Sequence, residues 1–164
     1  MEWCLRKAEK ELLDTGTHRG LVARAPDLSL AGQHIVKAKH NLKAAHYFRR
    51  GGFSDWSASA FFYCIYHCFL ALLTCRGYES RNQECTLAAI EMLSQQGDIA
   101  IEERFVDALR QHADHSLIAL REQCQYDVLL DFSEEAEMRR LTSLCEEMLD
   151  VTRDIVHAKQ QGKA

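Results

Sequence analysis

Proline is nearly absent, one residue in 164, and glycine is scarce at 8. That leaves too few turn formers for a many-stranded β-fold. Long linkers, internal repeats and low-complexity stretches are also lacking, so a single domain is expected at this length. The first residues, MEWCLRKAEKELLD, carry charges throughout and hold no apolar run of the secretory kind, from which a cytoplasmic protein is expected. There is no CxxC pair among the seven cysteines, at positions 4, 64, 68, 75, 85, 124 and 145. This odd, scattered set predicts free thiols in a reducing compartment. A Gly-rich phosphate loop, a Ser-His-Asp set and an arginine-rich recognition helix are missing as well.

What is present is helical patterning. Hydrophobic residues make up 47% of the chain and charged residues 27%, a soluble, globular balance. The stretch 53–76, FSDWSASAFFYCIYHCFLALLTCR, is apolar on nearly every side, and such a helix has to be enclosed by other elements. Asp55, Ser57, Ser59, Tyr63, Tyr66 and His67 interrupt it, and its unbroken apolar part falls short of the roughly 20 residues a bilayer requires. No membrane contact is therefore expected. Cys64, His67 and Cys68 lie near one another on this helix, but zinc sites usually draw ligands from separate turns, so these read as small core residues, and no metal or cofactor is implied.

Around this central helix the spacing predicts others. Residues 2–13 carry Leu5, Ala8 and Leu12 on one stripe, ended by Thr15-Gly16, and a loop runs on to Pro26. Asp27 or Ser29 caps a second helix with Ile35, Ala38, Leu42 and Ala45 inward and Lys37, Lys39, His40, Lys43, His46 and Arg50 on its other face. Gly51-Gly52 stops it, Ser54 or Asp55 caps the central helix, and Gly77 closes that one. Asn82 caps a helix ending near Gln96. Asp98 opens a long segment to residue 128 on which Arg110, Asp114, Arg121 and Gln125 share a line. Ser133-Glu134-Glu135 opens the last helix, with Met138, Leu141, Cys145, Met148, Thr152 and Ile155 as its seam.

Charge is unevenly spread. Residues 1–50 hold 10 Lys/Arg against 5 Asp/Glu, and residues 51–164 hold 10 against 19. The basic third can meet phosphate, a partner, or this chain's own acidic helices.

The succession HIVKAKHNLKAAHYFRRGGFSDWSASAFFYCIYHCFLALLTCRGYESRNQEC, followed by LREQCQYDVLLDFSEEAE, resembles the HEPN superfamily, the higher eukaryotes and prokaryotes nucleotide-binding domain. The resemblance covers roughly residues 30–158. It implies an all-α, up-and-down bundle of four to five helices over residues 30–160, with an extra N-terminal helix in an extension over residues 1–29, and a homodimer. Families of this kind include metal-independent ribonucleases, whose motif is an arginine, a polar residue and a histidine a few positions on. Others lack the histidine and accompany a minimal nucleotidyltransferase in a toxin-antitoxin-like pair.

In this chain the motif position reads Arg121-Glu122-Gln123-Cys124-Gln125-Tyr126-Asp127. Tyr126 stands where the histidine is expected, and with an ordinary pKa near 10 it is a poor base at pH 7. The resemblance thus implies a nucleotide- or RNA-associated binding subunit, partner of a minimal nucleotidyltransferase, with Arg121, Glu122, Tyr126 and Asp127 at the ligand. Arg121 would face a phosphate, and Tyr126 would stack on a base or hold Arg121; pairing of Arg121 with Asp127 or Asp131 to fix the turn stays open beside it. The enzyme alternative is a metal-independent endoribonuclease built on Arg110 and His115, since Arg110-Gln111-His112-Ala113-Asp114-His115 also fits the pattern. On one continuous helix those two side chains would stand about 140° apart. A purely structural oligomerisation module is the third reading.

Overall fold

A computed structural model of the chain describes residues 2–111, 116–128, 130 and 135–162. Among these, seven helices and two short strands occur: α1 Glu2–Thr15, β1 Leu21–Ala23, α2 Leu28–Arg50, α3 Ser54–Cys75, β2 Tyr78–Ser80, α4 Gln83–Gln95, α5 Glu103–Asp107, α6 Leu117–Tyr126 and α7 Glu135–Gln160. The bundle is organised around α3. Of its 22 residues 16 are buried, and it packs against α2, α4, α6 and α7. It is long and apolar enough to cross a membrane by composition, but its surface is spent on those neighbours. Phe61, Phe62, Phe69, Leu72 and Leu73 are fully enclosed, each burial contributing about 1.5–3 kcal/mol.

The α2–α3 pair has the most extensive contact among the described elements, and small residues line it. Ala31, Ala38 and Ala45 recur every seven residues along α2, all completely buried, and Ser57 Oγ of α3 donates to the Ala45 carbonyl at 2.9 Å. That bond sets the start of α3 level with the last turns of α2. Asp27 caps α2, its carboxylate accepting from Leu30 N–H at 2.8 Å. Gly52 turns the chain at φ +81°, in the left-handed region where a side chain is strained. The cap of α3 differs from expectation: Phe53 occupies the position and makes no side-chain cap bond. Ser54 and Asp55 fall inside the first turn, where Asp55 still suits the positive end of the helix dipole.

Two further expectations are corrected. The loop before α2 contains β1, which pairs antiparallel with β2, Val22 opposite Glu79; three residues per strand leave no alternating pattern to read. The two strands bring α1 to the start of α4, where Cys4 and Cys85 form a disulfide across 81 residues of sequence, Cα–Cα 5.8 Å. Seven free thiols were expected, and five remain: Cys64, Cys68, Cys75, Cys124 and Cys145. Such bonds are rare in the cytosol, so the cysteine pattern no longer argues for a reducing compartment.

The segment 98–128 is not one helix. After α5 the chain makes a turn, and Leu117 N–H returns to the Ala108 carbonyl at 2.8 Å. Ser116 then caps α6, accepting from Ala119 N–H at 3.3 Å. The break lets Phe105, Val106 and Leu109 on one side, and Leu117 and Cys124 on the other, all reach the core. The two sets also share one arc of a continuous helical period, so the turn is not announced by the spacing of the buried residues. In α7, Met138, Leu141, Cys145, Met148 and Thr152 are buried as the spacing predicts, whereas Val156 is buried in place of the half-exposed Ile155. Its expected cap, Ser133-Glu134, lies outside the described residues.

Candidate functional site

Helix α6 lies across α3 so that two of its turns read two turns of its neighbour. Gln125 Nε2 donates to Ser59 Oγ at 2.6 Å. One turn back along α6, and one turn on along α3, the Arg121 guanidinium lies over the Phe62 ring with Cζ 4.4 Å from its centre. A cation held so is stabilised by the ring quadrupole, by about 0.5–2 kcal/mol. Arg121 has no carboxylate partner among the described residues: it makes no ion pair with Asp127, and Asp131 lies outside them. Its Nε–H is buried and without a hydrogen-bond partner there, which is rare in a native fold and costs free energy. It is Phe62, and not Tyr126, whose ring carries the guanidinium.

Tyr126 and Asp127 end α6 beside the first turn of α3. Together with Asp55, Trp56, Gln125 and Leu130 they line an open hollow of about 410 Å³. Tyr126 is 82% exposed and Trp56 54%, so two largely uncovered aromatic side chains line this space. Val128 and Leu130 beside them are exposed as well. Asp127 accepts from Val128 N–H at 2.8 Å. The structure therefore brings Tyr126 and Asp127 into one hollow and sets Arg121 a helical turn away along the same helix. Glu122 is half-exposed on α6 and does not line the hollow.

The other arginine stands differently. Arg110, in the turn after α5, pairs with Glu91 at 2.8 Å, with Glu103 at 3.3 Å and with Asp107, and these contacts, that with Glu91 foremost, raise its pKa further. Its charge is more than neutralised before any ligand arrives. His115, its proposed companion, lies outside the described residues, and the break before α6 removes the continuous helix on which their 140° separation was reckoned.

A histidine pair escaped sequence reasoning. His34 of α2 and His67 of α3 meet Nδ1 to Nδ1 at 3.0 Å, so one ring donates and the other accepts. Burial, then His34 and Lys37, push His67 down to about 4, and burial lowers His34 too. His67 was expected to bond Tyr63 or a backbone carbonyl; its partner is another imidazole. With so low an affinity for protons it is a poor base near pH 7. Cys64 and Cys68 are buried, and their thiols are pushed up, Cys64 chiefly by its hydrogen bond to Cys145 and Cys68 by burial. No cluster of three or more His, Cys, Asp or Glu able to hold a metal occurs among the described residues.

Gln125 was visible on the stripe shared with Arg121. Trp56 and the His34–His67 pair depend on which helices meet, and periodicity within one helix carries no such information.

Comparison with curated proteins and with solved structures finds no match. A family model does match, that of the HEPN domain, over residues 31–155. Those residues run from the first turn of α2 almost to the end of α7 and so include the α3 core, the α6 crossing and the hollow. The chain belongs to the HEPN family.

Proposed function

We propose that this HEPN protein is a binding subunit, without nuclease activity of its own, that receives a nucleotide or RNA end at Arg121 and the hollow of Tyr126 and Asp127. The carrying observation is the unneutralised guanidinium of Arg121 on Phe62. A planar, permanent cation with no carboxylate to satisfy it suits a phosphate oxygen. Tyr126 and Trp56 offer ring faces to a base in the adjacent hollow. Glu122 lies on the same helix and would discriminate against a second negative charge.

The missing histidine supports binding over cleavage, and the depressed His67 does not replace it as a base near pH 7. The exposed apolar side chains Trp56, Val128 and Leu130 at the rim fit contact with another protein chain. We assign that contact to a homodimer and the functional partner to a minimal nucleotidyltransferase, in a toxin-antitoxin-like pair working in the cytoplasm. Copurification with a nucleotidyltransferase encoded beside it tests the partnership, and its failure in a strain expressing both removes that partner. Cleavage of structured RNA in EDTA, abolished by Arg121→Ala or Arg110→Ala, would replace the binding reading with a nuclease.

A further inference from the structure

Helix α2 carries a feature that the Arg121 hollow does not use. From Leu28 to Arg50 it contains no Asp or Glu, and the next carboxylate after its cap is Asp55. Lys37, Lys39, His40, Lys43 and Arg50 are exposed. Arg49 is tied to Glu135 of α7, but Lys39, Lys43 and Arg50 have no ion pair among the described residues. The acidic two-thirds of the chain thus leaves most of this ridge unneutralised. Like charges one turn apart destabilise a helix, so nothing in the fold itself rewards the arrangement.

The ridge borders an open depression of about 680 Å³ lined by His40, Lys43, Ala44, His46, Tyr47 and Arg50. At 1.5 Å per residue, Lys39 to Arg50 extends over about 16 Å. Tyr47, between Lys43 and Arg50, is 69% exposed. On α7, Glu135, Glu147 and Asp150 are already paired with Arg49, Arg104 and Arg153, which leaves Glu146 and Asp154 as the exposed carboxylates that this helix of a second copy would bring, and these offer nothing to Tyr47. An acidic peptide would use the cations and leave Tyr47 without a role. Cations interleaved with an exposed aromatic are what a single strand engages, phosphates on the charges and a base on the ring.

We propose that the outer face of α2 is a binding track for single-stranded nucleic acid, with Lys39, Lys43 and Arg50 contacting phosphates and Tyr47 stacking on a base. The track is independent of the Arg121 hollow. Its end at Tyr47 and Arg50 lies at the same end of the bundle as the start of α3.

The test is a fluorescence-anisotropy titration of a labelled uridine homopolymer of about 20 nucleotides with the full chain, at about 50 to 200 mM salt. Three phosphate contacts give a slope of log affinity against log salt of about −2. Lys39→Ala with Lys43→Ala is expected to weaken binding at least tenfold and to cut the slope to about −0.7. Tyr47→Ala is expected to weaken binding about tenfold with the slope unchanged. AMP, too short to span the track, reports the hollow separately: loss of AMP binding in Arg121→Ala with the effects of the double lysine and Tyr47 variants on the homopolymer persisting in that background tells failure of the hollow from failure of the track. The proposal is overturned by absence of binding at the lowest salt, by indifference to the double lysine variant, or by equal affinity for polyglutamate. Equal affinity for a duplex of the same length also overturns it, because a paired base is not free to stack on Tyr47.

Discussion

Arg110 and Arg121 fell on one line in the sequence and stand in opposite environments in the fold. Arg110 is surrounded by Glu91, Glu103 and Asp107; Arg121 rests on Phe62 with its Nε–H buried and unpartnered. The first is a surface clamp between α4 and α5. The second has no carboxylate partner among the described residues. Identical residue types at helical spacing therefore say little about role until the neighbouring helices are known, because the opposing carboxylates or rings decide whether a cation is spent.

Substitutions separate the two. Phe62→Ala removes a fully buried ring and the support of Arg121 together; a loss of about 3–5 kcal/mol in urea unfolding is expected, with nucleotide binding lost as well. Arg121→Ala spares the core, and the stability loss expected is at most about 2 kcal/mol. Binding of a nucleotide should fall about tenfold to a hundredfold, as for loss of a charge-assisted contact, and Arg121→Lys should recover only part because it lacks the planar fork. Arg110→Ala should cost about 1 kcal/mol or less, a cost reduced by added salt, since the site is exposed. It should leave nucleotide affinity unchanged, and a matching loss of affinity from Arg110→Ala would break the contrast.

A separate effect concerns pH and sets where the contrast is best measured. His67 has a folded pKa of about 4, below the unfolded value near 6.5. Between these values the unfolded chain holds the proton and the folded one does not, so stability is full above about 6.5 and declines as pH falls toward about 4. Melting temperature recorded across that window should drop with acid, and His67→Gln should flatten the drop. Glu79 adds to the same trend lower down. Burial raises its pKa, but hydrogen bonds from Arg24, His18 and Arg81 outweigh that and lower it overall, so its contribution is present above about 4.3 and is lost as pH falls through the depressed folded value.

Much of this was legible from the residues. The α2, α3, α4 and α7 segments follow from spacing and glycine stops, because each buries a long face. The pairing of β1 with β2 and the Cys4–Cys85 bond were not, since both join points far apart in sequence with no local signature. The break at Ser116 was missed for a different reason: a helical period continues through it, and the bond from Leu117 N–H back to the Ala108 carbonyl and the Ser116 cap leave no trace in that period. At the site, Arg121, Tyr126 and Asp127 were found by their place before the last helix. Phe62 beneath Arg121 and Trp56 beside Tyr126 come from α3, whose apolar run gives no hint of which rings stay exposed.

The most direct measurement is an NMR titration of the ¹⁵N-labelled chain with AMP, following the Arg121 Nε–H and the backbone amides of Tyr126 and Asp127. Saturable shifts at all three, absent in Arg121→Ala and retained in Arg110→Ala, are expected. Shifts confined to other residues, or an unchanged titration in Arg121→Ala, would contradict the assignment of Arg121 as the phosphate-facing group.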